Sequence, residues 1–233
     1  MIDWGKLSPP EGWRKVWWEL GIVTLGVLVA LVAEQAVSSW RRQAEVRSFR
    51  SAINEELGTN LAAFDFRLAQ GTCVANRLAE LRRLRDQGLE GSPTAVRSEI
   101  GRPTVATMQT SVWSARDTEV MGAMPLDLRL AYSALYDELI MNSEQIAQER
   151  EAWRSMARFN GLRRMSEDDI RILSELLFRA ESIDVVLRLN KRLIAEKADR
   201  LGIRPSAELR RQLGAADQTL CKPLPIERKG REG

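Results

Sequence analysis

Two patterns of hydrophobic residues divide this chain: a continuous apolar run near its start and helical periodicities after it. The run lies between Trp17 and Trp40, and its centre, Leu20 to Ala33, contains no ionisable residue. With its flanking positions the run reaches about the 20 residues that a helix needs to cross the hydrocarbon of a bilayer. The pattern predicts a transmembrane anchor over 16–40, preceded by an N-terminal tail over 1–15.

The two edges of the anchor carry side chains that favour a membrane surface. Tryptophans stand at both ends, where amphipathic rings prefer the headgroup layer. Glu19, Glu34 and Arg41 lie at the edges of the apolar run, and we interpret them as interfacial charges that water or headgroups can reach. The alternative, a path for protons or ions, needs partners that a single span lacks.

Small residues form one face of the anchor. Gly26, Ala30 and Ala33 recur at helical spacing, and small side chains allow another helix to approach closely in lipid. The face predicts self-association in the membrane. The alternative is that glycine and alanine are simply common in transmembrane helices.

A cleaved signal peptide is the other way to interpret the apolar run. A small-x-small cleavage site ending at Ala33 would have Leu31 as its other small position, and one ending at Ala36 would have Glu34, so neither fits. The chain is therefore expected to keep this segment as a signal anchor.

Beyond the anchor, apolar residues recur every three or four positions, which is the period of an amphipathic helix. No alternating run typical of a strand separates these stretches. The predicted fold class is all-α, with the N-terminal transmembrane helix continuing into an antiparallel helical bundle over 41–214 and a C-terminal tail over 215–233. Gly58 and Gly71 are expected weak points of the first helix. The predicted helices run from about Trp13 to Gln70, Thr72 to Gln87, Thr110 to Gly122, Pro125 to Asn160, Ser166 to Leu201 and Ser206 to Leu213.

The helix that begins at Pro125 has a near-heptad apolar seam, which we interpret both as the seam of the bundle and as a surface for contact with neighbouring chains. Asn142 and Glu149 fall on the same stripe. They either fix the register of packed helices or lie at a solvated edge of the stripe, and the solvated edge is the preferred interpretation. The apolar members of the seam are Leu128, Leu135, Leu139, Ile146 and Trp153.

Composition narrows the function classes. The charged fraction is 29% but the net charge is only +3, too small and too mixed in sign to favour nucleic acid as a partner. The chain has no histidine, which removes the usual general base and every metal site that needs imidazole. Acidic clusters lie among arginines and are typical of solvated helix surfaces. We expect no catalysis, no cofactor and no metal.

The two cysteines form no CxxC motif. Cys73 opens the second predicted helix and Cys221 lies in the tail, so a disulfide would fasten the C-terminus to the bundle. The alternative is two unlinked cysteines. Basic residues flank both ends of the anchor, and their count does not favour the tail as the cytoplasmic side but leans the other way. Large domains can translocate regardless of local charge, and two distant cysteines suit an oxidising compartment, so we expect the domain on the extracytoplasmic side.

The anchor also carries a resemblance. It resembles that of a group of small uncharacterised bacterial single-pass membrane proteins, in which a glutamate and aliphatic residues precede Gly-Val-Leu-Ile-Ala-Leu, a polar residue and a tryptophan. Val29 stands here for the isoleucine, and Glu34-Gln35 takes the polar position. The resemblance covers the anchor and implies a membrane-anchored helical domain, with no activity to transfer. The matching residues are Glu19, Gly26, Val27, Leu28, Ala30, Leu31 and Trp40.

These features favour a function by contact. We expect a scaffold or accessory subunit of an envelope complex, in contact with membrane lipid and forming a homo-oligomer or joining other subunits. In bacteria this places the chain in the inner membrane with a periplasmic domain. The alternative is an extracytoplasmic ligand-sensing helical domain that works with a partner protein.

Overall fold

The computed structural model describes residues 12–91, 96, 98–214 and 219–224. Within these ranges the chain forms seven α-helices and no strand, so the predicted all-α class is confirmed. Most of the predicted N-terminal tail, residues 1–11, lies outside the described part. The helices are α1 (Trp13–Ala69), α2 (Gly71–Leu89), α3 (Ser111–Ser114), α4 (Thr118–Ala123), α5 (Leu126–Met156), α6 (Glu167–Arg200) and α7 (Ala207–Gly214).

Helix α1 carries the apolar run into the bundle without a break, as predicted. Its large apolar side chains from Trp13 to Val37 are exposed, whereas Ile53 and Leu57 are completely buried. Among the described helices, α1 is long and apolar enough to cross a membrane, and none of its most apolar window is covered by the rest of the chain.

Gly58 does not weaken α1, contrary to the expectation. The helix continues through it, and the connection between α6 and α7 packs directly on its backbone: a Cβ at this position would lie 2.9 Å from the carbonyl oxygen of Arg204. The Ser206 amide donates a hydrogen bond to the Gly58 carbonyl at 2.8 Å. The glycine is therefore required by a close approach of two backbones.

Helix α2 follows α1 along the same side of the bundle. Only Gln70 separates the two helices, and its φ of −82° and ψ of 0° change the chain direction little. Helices α1 and α5 run in the same direction, because Asn54 contacts Tyr132 and the later residue Arg67 contacts the later residue Glu149. Helices α5 and α6 are antiparallel, and the α1–α2 rod lies against both.

The bundle has two apolar clusters, one after the other along its length. The first joins α1 to the start of α5 and the end of α6, and the second joins α2 to the end of α5 and the start of α6. The predicted seam is confirmed as the seam of the bundle, since its residues are buried or half-buried in these clusters. Its interpretation as a surface for other chains is wrong, because the chain's own helices cover it. Leu128, Leu135, Leu139 and Ile146 belong to the first cluster and Trp153 to the second.

The region before α5 differs from the prediction of one helix over 110–122. It contains two short helices, because Asp117 has an extended backbone and caps the second of them by accepting hydrogen bonds from the amides of Glu119 and Val120. Pro125 is the N-cap of α5 rather than its first residue.

Part of the predicted C-terminal tail belongs to the bundle. Residues 219–221 form a 3₁₀ turn against α2, and Leu220 and Leu224 are buried in the second cluster. Residues 215–218 and 225–233 lie outside the described part. Helix α6 begins with the predicted capping box of Ser166 and Asp169.

Candidate functional site

The small-residue face of the anchor is open. Gly26, Ala30 and Ala33 are exposed, and no described atom lies within 4 Å of a Cβ built on Gly26. Nothing within the described part of the chain occupies this face, and the predicted self-association stays a prediction.

The predicted interfacial charges do not pair with one another. Glu19 and Glu34 are exposed, and Arg41 donates a hydrogen bond from Nε to Glu45 at 3.2 Å, one turn further from the anchor. The next arginines, Arg42 and Arg47, border a cleft of about 370 Å³ that α4 closes on one side.

A buried charge cluster lies where α1, α5 and α6 meet. Arg67 has no exposed surface; its Nε donates to Glu149 at 2.6 Å, and its Nη2 donates both to Glu149 and to Asp184, the latter at 3.0 Å. Burial acts to lower the pKa of Arg67, but the hydrogen bonds and charges of the two carboxylates outweigh it and raise that pKa. The exposed side chain of Arg188 also forms an ion pair with Asp184, with 3.0 Å between Nη2 and Oδ2. The cluster joins three helices at the boundary between the two apolar clusters.

The solvated-edge interpretation of Asn142 and Glu149 is wrong. Both are buried: Glu149 binds Arg67, and Asn142 accepts a hydrogen bond from Asn190 of α6 at 3.1 Å. Their partners come from helices distant in the sequence, so the stripe on α5 alone does not show them.

Glu56 forms a second buried polar site, which fixes α3 to α1. Its carboxylate accepts hydrogen bonds from the Tyr136 hydroxyl at 2.7 Å, from the Ser111 hydroxyl, and from the Val112 and Trp113 amides. Burial acts to raise the pKa of Glu56, and these four bonds together hold it below its ordinary value. The same burial, with the neighbouring carboxylate, raises the pKa of Tyr136.

The predicted disulfide is present. Cys73 and Cys221 are bonded, and their Cα atoms lie 4.7 Å apart. Arg77, one turn further along α2, is buried and donates from Nη2 to the carbonyl oxygens of Leu220 and Lys222. Burial lowers the pKa of Arg77, and the charge of Glu80 partly opposes this effect. Together these contacts fasten 219–224 to α2.

Sequence reasoning missed the charged members of these sites, yet a signal exists. Arg67 and Arg77 each follow a buried apolar residue by three positions, so they fall on the inner face of their helix. A charged residue at a core position of a helix predicts a partner inside the bundle, although it does not identify that partner.

A further cleft of about 270 Å³ lies between α5 and residues 108–110, next to Tyr136. Its walls combine apolar side chains, such as Leu139 and Ile140, with the polar side chains of Asn60 and Glu144. Within the described ranges, no three histidine, cysteine or acidic side chains are placed to hold a metal ion.

The fold and these sites define an all-α protein in which one helix joins a candidate membrane span directly to a helical bundle. No protein-family model, curated protein or solved structure matches the chain. The resemblance of the anchor to the bacterial group therefore stays a prediction.

Proposed function

We propose that this protein is a non-enzymatic, membrane-anchored helical scaffold or accessory subunit that acts through protein–protein contacts. The observation that carries the proposal is the continuity of α1 from the exposed apolar run to the buried residues of the bundle. Because an uninterrupted helix connects Trp40 to Ile53, the bundle would be held at a fixed distance from the bilayer. A scaffold requires such a set position.

Two exposed surfaces support contact with other chains. One is the face of Gly26, Ala30 and Ala33 within the bilayer. The other is the outer side of α6, where Phe178 and Leu189 are 74% and 71% exposed and Val185 lies between them. Their spacing of seven and four residues is that of a coiled-coil seam and fits a helix of another subunit.

The proposed location is the bacterial inner membrane with the bundle in the periplasm. The disulfide between Cys73 and Cys221 supports an oxidising compartment for the bundle. The resemblance of the anchor supports the bacterial membrane.

A substitution within the anchor tests self-association. In detergent extracts, Ala30→Leu is expected to lower the mass of the assembly, because a bulky side chain keeps the helices apart. Thr24→Leu, on the opposite side of the same helix, is the control and should leave the mass unchanged. If both variants and the parent protein form assemblies of equal mass, the proposed self-association through the anchor is wrong.

The cleft beside Tyr136 favours a second function, ligand sensing with a partner protein. Its mixed apolar and polar walls are typical of small-molecule sites. A ligand that binds there should raise the Tm of the bundle, and Glu144→Leu should abolish the shift. If the ligand raises the Tm of the parent and of Glu144→Leu equally, it binds outside this cleft.

A further inference from the structure

The cleft between α1 and α4 has a polar floor with an arginine on each side. Ser39, Gln43 and Val46 share one face of α1, and Arg42 and Arg47 flank that face. Ala123 of α4 closes the opposite side. The cleft, at about 370 Å³, is large enough for a charged headgroup and open enough to be reached from outside the bundle.

The two arginines are free to bind an anion. Arg41 is neutralised by Glu45, but within the described part of the chain neither Arg42 nor Arg47 has an ion-pair partner, and both are exposed. Guanidinium groups form short, bidentate, charge-assisted hydrogen bonds with phosphate. The hydroxyl of Ser39 and the amide of Gln43 add neutral donors on the floor of the cleft.

The position of the cleft along α1 identifies the source of the phosphate. Trp17 and Trp40 are separated by about 35 Å at 1.5 Å per residue, slightly more than the roughly 30 Å of hydrocarbon. Trp40 therefore marks one edge of the hydrocarbon. Arg42 lies about 3 Å and Arg47 about 10 Å beyond it along the helix, at the level of the lipid phosphates.

We propose that this cleft binds the headgroup phosphate of an anionic membrane lipid, with Arg42 and Arg47 as its ligands. The inference rests on the proposed function, because it requires α1 to span the bilayer. A bound lipid would join α1 and α4 at the base of the bundle and set the depth and tilt of the bundle at the membrane surface.

Native mass spectrometry of the full chain in mild detergent tests the site, with phosphatidylglycerol or phosphatidylcholine added at equal concentration. The chain is expected to retain one phosphatidylglycerol in preference to phosphatidylcholine. An interfacial arginine contributes about fivefold to anionic lipid binding, so Arg42→Gln/Arg47→Gln should weaken phosphatidylglycerol binding by about thirtyfold. Excess inorganic phosphate should not displace the lipid.

The matched control is Arg83→Gln/Arg179→Gln, which removes the same charge from exposed positions on α2 and α6. It should bind phosphatidylglycerol as the parent does. Equal binding by the two double variants, equal retention of both lipids, or displacement by inorganic phosphate would each overturn the proposed site. If the proposed membrane anchoring were wrong, the result would be different: the full chain would stay dissolved without detergent.

Discussion

At the scale of single residues, the buried charges of Arg67, Glu149 and Asp184 hold the helices in one arrangement. Moving charged groups out of water costs free energy. The attraction between two buried charges offsets that cost only when the geometry of the pair is good and both groups are hydrogen-bonded. Here one guanidinium bridges two carboxylates from different helices. A change in helix register would separate at least one carboxylate from the buried guanidinium, so we expect the cluster to favour the observed register.

Replacing Arg67 should therefore be costly. Arg67→Met leaves Glu149 and Asp184 without their buried cation, and we expect a loss of about 3–5 kcal/mol in the free energy of unfolding. Arg82→Met is the control, because Arg82 pairs with Glu181 in an exposed bridge whose loss should cost less than about 1 kcal/mol. Denaturant unfolding of the full chain in detergent measures both values.

A triple variant separates charge from packing at this site. Arg67→Met/Glu149→Leu/Asp184→Leu removes all three charges together, and it should recover much of the stability lost by Arg67→Met alone. Equal losses in the single and triple variants would show that packing, rather than uncompensated charge, causes the effect.

Glu56 should make stability depend on acid pH. Burial acts to raise its pKa, but four hydrogen bonds hold the pKa below its ordinary value in the folded chain. The unfolded chain therefore takes up the proton first, so the contribution of Glu56 is complete above the unfolded pKa and is lost as pH falls through the folded value.

The test compares the free energy of unfolding at neutral pH with its value as the pH is lowered step by step into the acid range. Glu56→Gln should lose about 1–3 kcal/mol at neutral pH, because the amide cannot accept all four bonds. It should also show a smaller decrease toward acid than the parent. Glu55→Gln, at the exposed neighbouring position, is the control; an acid decrease in Glu56→Gln as large as in this control would contradict the assignment.

At the scale of helices, the sequence predicts elements whose signals are local and misses those set by distant partners. The long apolar first helix, the capping box at Ser166 and the seam on α5 follow from spacing alone, and the structure contains all of these elements. The start of α3, by contrast, is held partly by Glu56, fifty-five residues before Ser111, which accepts hydrogen bonds from Ser111, Val112 and Trp113. No short window of sequence contains that contact.

Gly58 offers a test of packing between elements. Alanine normally stabilises a helix by about 1 kcal/mol relative to glycine. At position 58 its Cβ would lie 2.9 Å from the Arg204 carbonyl oxygen and would push the α6–α7 connection away. We expect Gly58→Ala to lower the free energy of unfolding by about 1–2 kcal/mol, net of the gain in helix propensity.

Gly71 is the matched control, because nothing lies within 4 Å of a Cβ placed there. Gly71→Ala should raise stability by up to about 1 kcal/mol. Thermal unfolding of the two variants in the same detergent measures the difference. A Gly58→Ala protein as stable as Gly71→Ala would mean that the connection to α7 moves without cost.

At the scale of the whole molecule, the described chain consists of an exposed apolar helical segment and a bundle whose two apolar clusters lie beyond that segment. The buried residues of α1 begin at Ile53, and the half-buried residues that pack on the first cluster begin at Val46. No described residue before Trp40 belongs to either cluster. The apolar run lies outside both apolar clusters, and its exposed hydrophobic surface is the surface that the proposed membrane span would present to lipid.

A shortened chain that begins at Arg41 tests this separation. It keeps both apolar clusters, the Arg67 cluster and the disulfide, so we expect it to fold in water without detergent. Its Tm should lie within a few degrees of the bundle transition of the full chain, since an effect on stability under about 1 kcal/mol shifts Tm by only about 2–4 °C at this size. The full chain should require detergent or lipid to remain dispersed. A full chain that is monodisperse in water, or a shortened chain that aggregates, would mean that the apolar run is covered by protein, and the membrane anchor would then have to be abandoned.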